Sequence, residues 1–475
     1  MCDLIVTEGT LDVSLVENCP IDELQVGASA TMCRTLTARD IEAFAAVSWD
    51  TNPAHFDPVV AGQSVLHGVV GHGMWTASLL STLLGTRLPG PGTIYLGQTL
   101  TFLRPVHIQD TVTATVTVLS VDVAHQTAVL RCSVVNQRGE QILEGEAKVL
   151  APKEKLRIEM PEVPTFQVFD PAKRLSDLIE TAAHLDPIRC AVIHPCDEGS
   201  LQGALDAAKQ GLMVPVLVGP RARIEATALA LGASLAGIEV IHAEHSHEAA
   251  EQGAMLAGEG KVEAIMKGSL HTDELMHAVL AQKSLRTKRR LSHVFRFDVP
   301  LYSKPIMITD AALNISPTLM EKRDIVQNAI DLAILMGCEH PRVAILSALE
   351  TVNPSIPSTI DAAALCKMAD RGQISGGVLD GPLAFDNAVS PEALRIKAIR
   401  SAVAGQADVL MVPDLESGNM LSKQLEYLAG ASGAGVVLGA RVPIALTSRA
   451  DGPRARAASA LLVKRIAHHY RQNPP

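Results

Sequence analysis

The segment SWDTNPAHFD places Asp50 and His55 on either side of a turn made by Asn52 and Pro53. Asn and Pro are turn formers, and the residue before a proline is pushed away from helix. The turn follows a helix-periodic stretch, so the carboxylate and the imidazole can converge on one point. Aimed at one water, such a pair is an acid/base couple able to add water or remove it. Taken alone, the string could equally be an Asx-turn with a capping His. Downstream, VVGHGM sets Gly71, His72 and Gly73 at the entry to an apolar helix. The Gly73 amide would point outward with the helix dipole behind it, which suits a thioester oxygen that becomes enolate-like.

A second set of polar residues lies in the C-terminal half. MKGSLHTDEL carries Lys267, Ser269, His271 and Thr272, and KPIMITDAALNISPT carries Thr309, Asp310 and Asn314. LDGPLAFDNA presents Asp380 and Asp386, VPDLESGNM presents Asp414 and Asn419, and PIALTSRADG ends with Ser448, Arg449 and Asp451. Each could be ordinary helix capping. Repeated at the ends of successive apolar strands, they argue for a cleft, because open parallel sheets place ligands there. Lys267, His271 and Asn419 are candidates to bind a substrate. Arg449 can fork onto phosphate oxygens and Ser448 can donate a hydrogen bond. A carboxylate such as Asp451 could deprotonate a thiol. The basic run KSLRTKRRLSHVFR (283–296) is either a solvated face or a clamp on phosphates.

Those residues need scaffolds. A chain of 475 residues is too long for one compact domain, and 47% hydrophobic content with 19% charge rules out a disordered one. Aromatics are only 3%, so the cores must be aliphatic. The net charge of −10 argues against nucleic acid as a partner, since phosphate backbones demand clustered cations. No apolar run approaches a bilayer span of about 20 residues, so no membrane is expected. The N-terminus lacks the pattern of a secretory signal. The eight cysteines are scattered with no CxxC, which predicts reduced thiols in a cytoplasm and neither disulfide frame nor zinc site.

The Pro-rich, charged stretch 151–170 reads as a linker. Before it, over 1–150, LTARDIEAFAAVSWD predicts a helix with Thr37 as N-cap, and GHGMWTASLLSTLL a helix apolar on nearly every side, hence wrapped by a sheet. QTLTFLRPV, TVTATVTVLSVDV, TAVLRCSVVNQRGE and QILEGEAKVLA alternate like antiparallel strands. One helix wrapped by such a sheet suggests an α+β hotdog domain. After the linker, over 171–475, apolar strands alternate with amphipathic helices, which predicts a two-lobed α/β domain with mostly parallel sheets.

Two resemblances sharpen these expectations. DTNPAH, then GHGM, then GPGTIYLGQTLTFLRPV look like the MaoC-like, (R)-specific enoyl-CoA hydratases over about residues 25–150. The resemblance implies that Asp50 and His55 activate water. It further implies that the Gly73 amide holds the thioester carbonyl and that Ser81 lies beside the Asp–His network. It also implies a homo-oligomer, a dimer or higher. That family usually has Gly just before the Asp, where this chain has Trp49. KGSLHTD, PIMITDAALNISP, DGPLAFDNA, PDLESGN and LTSRAD together look like the phosphate acetyl/butyryltransferases over about residues 170–470. This implies exchange of CoA for phosphate on an acyl group, in a cleft between two subdomains. One lobe would be about 171–300 plus 448–475 and the other about 301–447. Where that family commonly carries an Arg, this chain has Met276. No metal or redox cofactor is implied: the CoA thioester is substrate and inorganic phosphate the co-substrate. The alternative is a hydratase whose C-terminal half only binds CoA esters or assembles the oligomer.

Overall fold

The computed structural model describes residues 15–64, 66–159, 171–447 and 452–475. The chain divides into two compact units, Met1–Val168 and Phe169–Pro475.

The first unit contains β1 (Leu15–Glu17), β2 (Ser29–Thr35), β3 (Ile94–Phe102), β4 (Thr111–Asp122), β5 (Thr127–Asn136), β6 (Gln141–Leu150) and β7 (Arg157–Glu159). Its helices are α1 (Ala38–Ser48), α2 (Pro58–Gln63) and α3 (Gly73–Thr86). Five strands form an antiparallel sheet in the order β2-β4-β5-β6-β3. Alternation sets its two faces. Val112, Ala114, Val116 and Val118 of β4 are buried, as are Ala128, Leu130, Cys132 and Val134 of β5, while β4's intervening threonines are only partly covered. These side chains pack on Trp75, Leu79, Leu80, Leu83 and Leu84 of α3. Fully burying a leucine stabilises by roughly 1.5–3 kcal/mol, so this helix–sheet seam holds the unit together. Gly145 of β6 is where β3 comes nearest: a Cβ there would lie 1.8 Å from the Thr99 carbonyl oxygen.

Two expectations change. α3 is not buried on every side, because Met74, Ser78, Ser81 and Thr82 are exposed. Small polar residues occupy that face, and Ser78 and Thr82 donate back to carbonyls of their own helix, as short hydroxyl side chains can. Part of the expected linker is also a strand, since Arg157–Glu159 pair with β1. Buried Asn18 explains this: its side chain donates to the Pro91 and Glu154 carbonyls and accepts from the Leu156 amide, fastening the strand down.

The second unit is built on β8 (Ile188–Ile193), β9 (Met213–Gly219), β10 (Glu239–His242), β11 (Ala264–Lys267), β12 (Ser292–Asp298), β13 (Ile306–Thr309), β14 (Arg342–Leu346), β15 (Val378–Leu383), β16 (Val409–Met411), β17 (Ser432–Leu438) and β18 (Ile444–Ala445). They form one sheet in the order β10-β9-β8-β11-β18-β17-β12-β13-β16-β14-β15. Pairing is parallel from β10 to β18 and from β13 to β15, and antiparallel around β17 and β12. Alternate residues of β8 feed different cores, Cys190 and Val192 into one, Ala191 and Ile193 into another. A sheet buried on both faces needs the continuous apolar runs seen in the sequence. The chain returns to the first lobe's strands earlier than expected. β18 already pairs with β11, ahead of residue 448.

Candidate active sites

Local turns assemble the first site. α1 starts at a capping box between Thr37 and Asp40 and ends at Trp49, whose φ of 63° is left-handed. Glycine tolerates that conformation at a helix C-terminus far better than a bulky residue does. The turn thus accounts for the glycine usual before the Asp, and Trp49 carries strain while its side chain lies exposed. Asp50 Oδ1 accepts from the Asn52 amide and Asn52 Oδ1 from the Ala54 amide, which turns the chain into a short 3₁₀ segment, Pro53–His55. His55 Nε2 comes to 4.0 Å from Asp50 Oδ2, with His55 mostly buried and Asp50 half exposed. That gap is too long for a hydrogen bond and admits a shared water.

His55 Nδ1 lies 2.8 Å from the Val70 carbonyl oxygen and must donate to it, so Nε2 carries the lone pair facing Asp50. Gly73 is the first residue of α3, and His72 at the N-cap makes no side-chain cap there. Helix-start amides beside an acid/base pair can hold an oxygen that gains charge. Ser81 sits on the exposed face of α3, two turns past Gly73, about 12 Å along the axis. The structure therefore brings Asp50 and His55 together with His72, the chain neighbour of Gly73. Atoms of Asp50, His55 and His72 lie within 4.8 Å of one another. Yet the two imidazoles stack, with centroids 3.8 Å apart and planes at 32°, rather than splaying as metal ligands do.

In the second unit, strand ends gather two clusters. At the ends of β8, β11 and β18, buried Lys267 reaches the Thr447 and Gly268 carbonyls at 3.3 and 3.4 Å. Thr447 Oγ1 donates to the Lys267 carbonyl and accepts from Arg456 Nη1, itself buried. Gly268 is obligatory, as a Cβ would meet the Ile193 carbonyl oxygen at 2.4 Å. His194, at φ 52°, turns its Nδ1 to the Ser269 carbonyl, and burial pushes its pKa down. For Asp197 burial works upward, but hydrogen bonds from Ser200 and Ser269 and the Arg456 charge outweigh it and hold the carboxyl low. His271 is exposed at the start of the helix Thr272–Ala281. Met276 is buried in the core between Leu275 and Val279, so in this chain the position is a packing one.

At the ends of β13 and β16 the second cluster surrounds buried Asp310. It accepts from the Ala312 and Leu313 amides, the His293 amide and Asn314 Nδ2. Arg290 donates to Asn314 Oδ1, and Asn419 Nδ2 reaches the Ala311 carbonyl at 3.3 Å. Asp414 caps its helix through Ser417, and Asp386 pairs with Lys397. In the basic run, Arg289, Arg290 and Arg296 have carboxylate partners in Asp331, Glu321 and Asp298. Ser448, Arg449 and Asp451 lie outside the described residues, between described Thr447 and Gly452.

Reading the sequence missed His194, Asp197 and Arg456. HPCD directly after the strand CAVI was a signal for the first two. Arg456, in GPRARAAS, had no such signal.

The first unit is thus a hotdog that pairs Asp50 with His55, and the second an α/β unit with polar groups gathered at its strand ends. Residues 25–137 match the MaoC like domain, and residues 246–462 the phosphate acetyl/butaryl transferase family. A phosphate acetyltransferase of Rhizobium meliloti is 59% identical over 283 residues, 59% of this chain and 90% of that protein. The phosphate butyryltransferase of Clostridium acetobutylicum is 37% identical over 296 residues, 62% of this chain and 98% of that one. Among solved structures, a branched-chain phosphotransacylase from Enterococcus faecalis has a TM-score of 0.52 at 28% identity, covering 59% of this chain and 99% of that one. The chain belongs to the phosphate acetyl/butyryl transferase family and carries a MaoC-like domain ahead of it.

Proposed function

We propose that the protein acts on acyl-CoA thioesters at two sites. The first unit hydrates (2E)-enoyl-CoA to (R)-3-hydroxyacyl-CoA, or runs the reverse. The second exchanges CoA and phosphate on an acyl group. One observation carries the first half: His55 Nε2, its lone pair exposed by the Nδ1–Val70 hydrogen bond, faces Asp50 Oδ2 across 4.0 Å. A water held there loses a proton to the pair as its oxygen bonds to C3. The pair returns a proton to C2, and the thioester oxygen, charged in between, faces the Gly73 amide. Membership of the transferase family supports the second half. In that reaction phosphate oxygen attacks the thioester carbonyl and CoA leaves as the thiol. Arg449 would fork onto the phosphate, Ser448 would donate to it, and Asp451 would handle the thiol proton. Lys267, His271 and Asn419 would bind substrate.

Neither reaction needs a metal or redox cofactor on this reading, since proton transfer and acyl transfer complete the balance. Dialysis against EDTA should leave both rates unchanged. A second copy of the chain is the expected partner. β3 is an edge strand whose Ile94, Leu96 and Phe102 are exposed, which suits pairing with another copy. No helix among the described residues is long and apolar enough to cross a membrane. The seven described cysteines are free, which fits a cytoplasmic location.

The test is to incubate the pure protein with crotonyl-CoA, and separately with acetyl-, propionyl- and butyryl-CoA plus phosphate. Hydration of the first and phosphate-dependent CoA release from at least one of the others are expected. Release from none would leave the second unit as a binder of CoA esters.

A further inference from the structure

His72 touches both Asp50 and His55 and directly precedes Gly73. Its ring is 2% exposed. Nε2 lies 2.9 Å from the backbone carbonyl oxygen of Asp50. A carbonyl can only accept, so the proton sits on Nε2 and Nδ1 carries a lone pair. That Nδ1 is buried and has no hydrogen-bond partner. The face of the same ring lies on His55, with centroids 3.8 Å apart. Phe44 and Phe56 close around it, at 5.1 and 6.3 Å. The next residue is Gly73, whose amide starts α3.

These contacts fix the members of the site against one another. The hydrogen bond to the Asp50 carbonyl holds the end of the 50–55 turn, and so the place of the Asp50 carboxylate. The stack holds the plane of His55, whose Nδ1 bond to Val70 fixes its tautomer but leaves the ring free to tilt. The N-cap position ties both to the oxyanion amide. A displacement of about 1 Å between reacting groups can cost on the order of 10²-fold in rate, so such a brace has kinetic consequences.

We infer that His72 is a positioning residue for the hydration reaction. It acts through its Nε2–H on the Asp50 backbone and through its ring on His55, and it rests on the hydratase reading above. Two substitutions separate the contacts. His72→Phe keeps a ring against His55 and loses the donor, whereas His72→Gln keeps a donor near the Nε2 position and loses the stack. The measurement is steady-state hydration of crotonyl-CoA by the full chain, with phosphate-dependent CoA release as a control on the second unit. His72→Phe should lower kcat by roughly 10- to 100-fold while KM stays within about threefold, because the acyl contacts are untouched. His72→Gln should recover at least about half of that loss on a logarithmic scale. Wild-type kcat in both variants would overturn the inference. So would equal damage in both with KM raised as much as kcat falls, which would mark His72 as packing alone. Asp50→Asn tells the two readings apart. If it hydrates normally, the placing of the hydration site at Asp50 and His55 has failed; if it is dead while both His72 variants are normal, only the role of His72 has.

Discussion

The two candidate sites are built in opposite ways. The proposed hydration site is local: Asp50, His55, His72 and Gly73 fall within two turns and one helix start, and the Asp50–His72 hydrogen bond spans 22 residues. The proposed transferase site is gathered from afar, with Lys267 and Thr447, 180 residues apart, meeting only because β11 and β18 lie side by side. The local site depends on caps and turn residues that short segments specify by themselves. The gathered one depends on the sheet being right, so its polar residues sit buried behind strand ends, and damage to the sheet should reach it first.

That contrast can be strained from several sides. The largest expected effect is at Arg449. Arg449→Ala should lower kcat/KM for phosphate-dependent CoA release by on the order of 2–4 kcal/mol in activation free energy, with hydration untouched. Arg449→Lys should mainly raise the phosphate KM, because the charge survives and the fork does not. An unaffected Ala variant in an active enzyme would move the phosphate site elsewhere.

Next comes pH. His293 is fully buried with neither ring nitrogen bonded, and burial brings its pKa from 6.5 to about 4 against the opposing pull of Asp310. The folded value lies below the unfolded one, so the unfolded chain takes the proton first. Stability is therefore full above about pH 6.5 and falls as pH drops towards 4, by on the order of 3 kcal/mol for this group. Urea unfolding of the second unit at pH 7 and 4.5 should show the slope, and His293→Leu should flatten it. An unchanged slope in that variant would put the acid sensitivity elsewhere.

The smallest effect belongs to the local site. Trp49→Gly relieves the left-handed residue at the end of α1 and should stabilise the first unit by about 0.5–1 kcal/mol, read as a rise in its melting temperature. A loss instead would show that the exposed Trp49 side chain makes contacts in solution, for example with a second copy.

The same contrast governs what the sequence disclosed. The Thr37 cap, the Asn-Pro turn and the alternation of β4 and β5 are local signals, and each corresponds to an observed feature. The exposed face of α3 was not legible, because serine and threonine there read like small core residues until their hydroxyls are seen bonding within the helix. β7 was hidden by the prolines near it, since what orders it is Asn18, more than a hundred residues earlier. Polar strand ends in the second unit could be listed from sequence. Their sorting into one cluster around Lys267 and another around Asp310 could not, because it follows from strand order alone.

The central claim is that one chain carries two separate acyl-CoA sites, and Asp50→Asn tests it most directly. Both reactions should be measured on the same preparation: hydration of crotonyl-CoA, and phosphate-dependent CoA release with the best acyl-CoA of the wild-type protein. Hydration should fall by at least about 10²-fold, as expected for loss of a general acid–base group, and CoA release should stay at the wild-type rate. Near-normal hydration, or a parallel fall in both reactions, would contradict it.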